Sequence, residues 1–119
     1  MKILVAGGEK VGSEIVSQLI GEGHDLTLID TRPYVLTSGG ERYDVMTLAG
    51  NAASMDILKT ADVEHSDLLI AVTGKDEINL LSCMTAHAMN PNIHTIARIS
   101  NPEYFHQVYT LRTDFGLSL

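Results

Sequence analysis

Eight residues near the start of the chain, Val5 to Gly12, read VAGGEKVG, with an apolar run before them and a helical pattern after them. Open backbone N–H groups at a helix start attract a phosphate, and glycines let the backbone come close to it. Gly7 and Gly12 hold the first and third positions of G-x-G-x-x-G. Gly7 allows the tight turn out of the strand, Gly12 lets the helix pack closely on the sheet, and the N–H groups near Lys10, Val11 and Gly12 form a local anion site. Glu9 takes the middle position, where any Cβ obstructs approach to a pyrophosphate. Its charge adds repulsion of about 3 kcal/mol per like-charge pair at 5 Å and an effective dielectric of 20. Two arrangements relieve this: Glu9 turns outward while Lys10 offsets its field, or the ligand's phosphates lie differently from those of a dinucleotide. Asp30, eighteen residues past Gly12, ends the second apolar run. That is where a carboxylate reaches the ribose diol of an NAD-type ligand.

Other chemistry finds less support. The five histidines form no HExxH motif or close ligand pair. Cys83 is the single cysteine, inside a helical pattern without basic neighbours, and reads as packing. Asp76, Glu77 and Asn79 have ligand-type side chains, yet acids at a helix start explain the first two. No tyrosine has a lysine four places on, no G-x-S-x-G elbow occurs, and Gly74-Lys75 lacks the Ser/Thr and spacing of a phosphate-binding P-loop.

The elements that hold these residues alternate. Ile3–Ala6, Leu26–Ile29, Val45–Leu48, Leu68–Val72 and His94–Ala97 read as strands, several of them continuous apolar runs suited to a parallel sheet covered on both faces. Val11, Ile15, Leu19 and Ile20 mark one face of a helix that stops at Gly21-Glu22-Gly23. A second helix opens at Asp76-Glu77, carries Ile78, Leu81, Thr85 and Ala88 on one stripe, and ends at Asn90-Pro91. Asn101 caps a third, with Pro102 at its first position. Shorter helices are expected over Pro33–Tyr43, loosened by Gly39-Gly40, and over Ser54–Ala61. This order predicts an α/β fold, a Rossmann-like doubly wound parallel sheet with strand order 3-2-1-4-5. A sixth strand is missing, so a single nucleotide-binding domain over 1–119, cut from a longer chain, is expected.

Composition bounds the partners. A 119-residue chain with 45% apolar and 19% charged residues fits one soluble domain. A formal charge of −7 argues against a broad nucleic-acid or anionic-membrane surface. No signal peptide or membrane-spanning run is seen, and a cytoplasmic location is expected.

The whole chain resembles the N-terminal nucleotide-binding domain of TrkA-type potassium-transport regulators, also called the KTN or RCK domain. The resemblance runs through MKILVAGGEKVG, GEGHDLTLID, DVMTLAGNAAS, HSDLLIAVTGKDEINLL and TIARISNPEY. It implies that Gly7, Gly8, Lys10 and Val11 form the phosphate loop and that Asp30 binds the ribose. It also implies that Asn51 and Ala52 lie near the adenosine, Thr73 and Gly74 under the ribose and nicotinamide, and Arg98 facing the ligand. Three departures stand out: Glu9, Ser100 where relatives often carry a second basic residue, and Gly39-Gly40 in a helix that is usually regular. The implied cofactor is NAD, with ATP, ADP or AMP as alternatives. The implied partners are a membrane potassium transporter subunit and further copies of the chain, placing the domain at the inner face of the cell membrane.

Three functions fit these residues. The favoured one is a non-enzymatic regulatory subunit in potassium transport, where nucleotide binding shifts a conformational equilibrium. The second is the cofactor-binding half of an NAD-dependent dehydrogenase. The third is a scaffold that docks without ligand.

Overall fold

In the computed structural model, which describes residues 1–32 and 45–115, all strands run parallel, so their carboxyl ends share one edge of the sheet. The elements are β1 (Lys2–Ala6), α1 (Lys10–Leu19), β2 (Asp25–Asp30), β3 (Met46–Ala49), α2 (Met55–Thr60), β4 (Leu68–Ala71), α3 (Asp76–Met89), β5 (His94–Ala97) and α4 (Phe105–Phe115). Single 3-10 turns follow α1 and α2 and precede α4. The five strands pair in parallel in the order β3-β2-β1-β4-β5, as the alternating pattern predicts. Strand order reverses between β1 and its two neighbours, and there the connections leave in opposite directions and open a crevice.

Two buried layers hold the sheet, because successive side chains of a strand point to opposite faces. Ile3 and Val5 join Val16, Leu26, Leu28 and Ile70 under α1. Leu4 and Ala6 join Ile29, Leu58, Leu69, Cys83 and Ala86 under α2 and α3. β1, with a neighbour on each side and a layer on each face, is the most enclosed strand. β3 lies at the sheet edge and starts one residue later than expected; its Met46 is 67% exposed. β4 ends at Ala71, which leaves Val72 to the loop.

The α1 face largely follows expectation: Ile15, Leu19 and Ile20 pack against the layer that holds buried Val16, while Val11 lies exposed toward the crevice. The α3 face differs. In α3 the buried positions are Asp76, Asn79, Ser82, Cys83 and Ala86, while Leu81 is exposed. The true stripe is rotated away from Ile78, Leu81, Thr85 and Ala88. Polar residues with hydrogen-bond partners tolerate burial, so apolarity alone misplaced the face. The start of the last helix follows expectation: the Asn101 side chain accepts from the Glu103 N–H at 3.0 Å, with Pro102 next. The helix expected over 33–43 lies outside the described residues.

Gly12 is where α1 presses on the sheet. A Cβ there would lie 1.6 Å from the Gly7 carbonyl oxygen, an overlap that only backbone displacement relieves. Gly21, by contrast, has nothing within 4 Å of its added Cβ. Gly12→Ala should lower unfolding free energy by about 3 kcal/mol or more in urea titration, as overpacking against fixed backbone does. Gly21→Ala should be neutral or stabilising by roughly 0.5 kcal/mol.

Candidate functional site

The carboxyl ends of the strands enclose a cleft of about 610 Å³ at the strand-order reversal. Ten of the twelve residues singled out in the sequence line it: Gly7, Glu9, Lys10, Val11, Asp30, Asn51, Ala52, Thr73, Gly74 and Arg98. Gly8 and Gly12 stand behind the wall. Gly12 seats the helix, and the Gly8 N–H donates to Asp30 Oδ2 at 2.8 Å.

Gly7 has φ of +103°, a conformation open to glycine, and an added Cβ would lie 2.9 Å from the Thr73 nitrogen and the Val72 carbonyl. The exits of β1 and β4 are therefore drawn together at this residue. Glu9, with φ of −78°, is in an ordinary conformation for any residue, so the middle position needs no glycine for its backbone. Its carboxylate pairs with the Arg32 guanidinium. The cation offsetting Glu9 is thus Arg32, and the role expected of Lys10 is corrected accordingly.

Asp30 is deeply set, its side chain 4% exposed. Its Oδ1 accepts from the Arg32 backbone N–H and Nε, both at 2.9 Å, and its Oδ2 accepts from the Gly8 N–H and Arg32 Nη2 at 3.0 Å. Burial by itself would raise its pKa, but the Arg32 side chain, the Gly8 N–H and the Arg32 N–H together hold it below the ordinary value of 3.8. The unfolded chain therefore binds this proton more readily. The resulting stabilisation is present above the ordinary carboxylate range and is lost as pH falls through the lowered value.

Across the cleft, Asn79 ties two strand exits together. It is fully buried; its Oδ1 accepts from the Thr73 N–H at 2.9 Å and hydroxyl at 2.7 Å. Its Nδ2 donates to the carbonyls of Thr73 at 3.2 Å and Arg98 at 3.0 Å. Arg98 Nη2 donates to the Thr73 carbonyl at 3.1 Å, while its buried Nε has no hydrogen-bond partner. Asp76 accepts from the N–H groups of Ser100 and Asn101 and holds the loop after β5. Tyr104 donates its hydroxyl to Glu77 beside it. Asp76, Glu77 and Asn79 are thus occupied with loop positioning. Asn51 builds its own turn by accepting the Ala53 N–H at 2.9 Å, next to buried Ala52.

Four cations (Lys10, Arg32, Lys75, Arg98) and two carboxylates (Glu9, Asp30) line the cleft, a net charge of +2 on a chain whose total is −7. Charge of one sign focused in a crevice raises the local concentration of the opposite ion. Sequence reading leaves Arg32 out as a site residue, and Lys75 and Asn79 enter it only through the P-loop and metal-ligand readings. A basic residue two places after the strand-end acid, and a polar residue one helical turn into α3, were the available signals. Cys83 is buried in the α3 layer and its thiol is pushed up to about 12 by that burial, which keeps it protonated. Among the described residues no group of three or more His, Cys, Asp or Glu could hold a metal, and no helix is long and apolar enough to cross a membrane.

A parallel sheet of this order, with its crevice at the strand reversal and a glycine loop entering α1, makes the chain a Rossmann-like domain. It belongs to the TrkA-N domain family, whose model matches residues 3–118. The chain is 35% identical over 104 residues to the Trk system potassium uptake protein TrkA of Vibrio alginolyticus, covering 87% of this chain and 23% of that protein. It is 35% identical over 105 residues to the TrkA homolog of Methanothermobacter thermautotrophicus, covering 87% of this chain and 48% of that one. It spans about half the length of these relatives or less. Among solved structures, the TrkA-N domain of the inner membrane protein ybaL from Escherichia coli superposes with a TM-score of 0.82 at 27% identity, over 92% of this chain and 80% of that one. The AMP-bound Kef C-terminal domain of Shewanella denitrificans has a TM-score of 0.82 at 21% identity, over 97% and 69% of the two chains. The GsuK channel bound to NAD has 0.79 at 16%, over 92% and 20%. The last two share the fold.

Asn79→Ala should leave the Thr73 N–H and the Arg98 carbonyl without their partner, costing about 2–4 kcal/mol in urea unfolding. A loss below about 0.5 kcal/mol would contradict the clamp assigned to Asn79.

Proposed function

We propose that this domain binds an adenine nucleotide in the cleft and, as part of a Trk-type potassium uptake system, regulates transport without catalysing a reaction. The adenosine ribose lies toward Asp30, and the phosphates lie at the start of α1 and toward Arg98. NAD and the mononucleotides AMP, ADP and ATP all carry these groups. The observation that carries the reading is the +2 cleft on a −7 chain, with a glycine-shaped helix start and a deep carboxylate lining it. The relatives named as Trk potassium uptake proteins support the transport role. The neighbours solved with AMP and with NAD support the ligand class.

A nucleotide regulates only through different affinities for two conformations. Its contacts join the exits of β1, β2 and β4, so tightening the cleft moves the helices that follow these strands. The transporter subunit and further copies of the chain are the proposed receivers of that movement, at the cytoplasmic face of the membrane.

Calorimetric titration with AMP, ADP, ATP and NAD tests this reading. At least one should bind with a dissociation constant below about 1 mM, and Asp30→Asn should weaken it roughly tenfold, equivalent to about 1.4 kcal/mol. No binding by any of the four would remove the sensor from the proposal.

A further inference from the structure

The cleft carries an arrangement that its glycine-loop outline does not require. Arg32 sits between two carboxylates from different elements, Glu9 at the start of α1 and Asp30 at the end of β2. One guanidinium serves both: Nη1 meets Glu9, while Nε and Nη2 meet Asp30. Asp30 already accepts four hydrogen bonds, about as many as a carboxylate holds, so a ribose hydroxyl gains access only by replacing some of them. The bonds from Gly8 N–H and Arg32 N–H belong to the backbone; the replaceable ones are those of the guanidinium. Glu9, 59% exposed on its side chain, has conformational room at the mouth, and its unshielded charge would oppose an arriving phosphate.

We propose that Arg32 is a positioning residue that makes the Glu9-bearing loop usable by anionic nucleotides. Its Nη1 holds and neutralises Glu9 at the side of the mouth, while its Nε and Nη2 yield Asp30 to the ribose. This rests on the nucleotide reading above and deepens it. The residue therefore sets how strongly affinity depends on the ligand's negative charge. Lys10, Lys75 and Arg98 also face the cleft and are left in place in every comparison.

The test compares adenosine, AMP and ADP by calorimetry on the wild type, Arg32→Ala, Arg32→Lys, Glu9→Gln and the Arg32→Ala/Glu9→Gln double variant. Arg32 is 39% exposed on its side chain, and thermal melts establish that each variant is folded. Arg32→Ala should weaken AMP roughly tenfold and ADP more, the scale of a partly solvated charge pair, with adenosine unchanged or tighter. Arg32→Lys should retain most of the charge-dependent affinity, and adding Glu9→Gln to Arg32→Ala should recover most of what was lost. Equal losses for adenosine and AMP without recovery would overturn the inference, since Arg32 would then act through Asp30 alone. Wild-type binding that Arg32→Ala leaves unchanged would overturn it while sparing the nucleotide reading. Wild type that binds none of the three, nor ATP or NAD, would overturn both. Should Arg32→Ala fail to fold, Arg32→Lys and Glu9→Gln carry the comparison: Glu9→Gln must favour ADP over adenosine more than the wild type does, and the absence of that change overturns the inference.

Discussion

Between the Gly7 carbonyl oxygen and the first turn of α1 there is no room for a single methyl group. That close approach fixes where the helix begins, and so where its open N–H groups and dipole point. A helix lifted off the sheet at Gly12 would turn its first turn away from the strand exits and separate Glu9 from Arg32. Gly7 makes the complementary contact on its other side, against Val72 and Thr73. One glycine loop thus brings α1 and the exit of β4 to the same opening. The Gly8 N–H, directed into Asp30, adds the exit of β2 to it.

The far wall is built by polar burial. Asn79 spends its side chain on the backbone and hydroxyl of Thr73 and on the Arg98 carbonyl, and Asp76 accepts the backbone N–H groups of Ser100 and Asn101. Desolvating these groups is offset only when their hydrogen bonds form together. Strand ends that would otherwise fray are held at fixed separation, and the cleft keeps its width without an apolar plug. Lys75 and Arg98 line the cleft together with Lys10 and Arg32. A positive concavity therefore forms on a negative protein from residues that no single element supplies.

Much of this is legible in the sequence. Five apolar runs separated by helical stretches specify a parallel α/β sheet, because such runs suit strands covered on both faces. The cleft-lining residues are readable for a related reason: in a parallel sheet they end or follow strands, so Gly7, Asp30, Asn51, Thr73 and Arg98 fall on one edge. What escaped were meetings through space. Arg32 gains its importance from Glu9, twenty-three residues earlier in the chain, and no periodicity relates the two. The α3 face differs from the expected one because Asp76 and Asn79 look like surface residues until their loop partners are known, and Ser82 is buried beside them. Val11 shares the apolar pattern of Ile15 and Leu19, yet at the first turn of α1 it faces the opening, as its place in the glycine loop implies.

The central claim is that the mouth of the first strand-to-helix turn, between β1, β2 and β4, receives the phosphates and ribose of an adenine nucleotide. Amide chemical shifts of isotopically labelled protein, followed while AMP is added, locate that event residue by residue. The account predicts saturable changes confined to Gly7–Val11, Asp30–Arg32, Asn51–Ala52, Thr73–Lys75 and Arg98. Changes centred instead on the apolar groove between Ala97 and Val108, or an unmoved loop at saturating AMP, would contradict it.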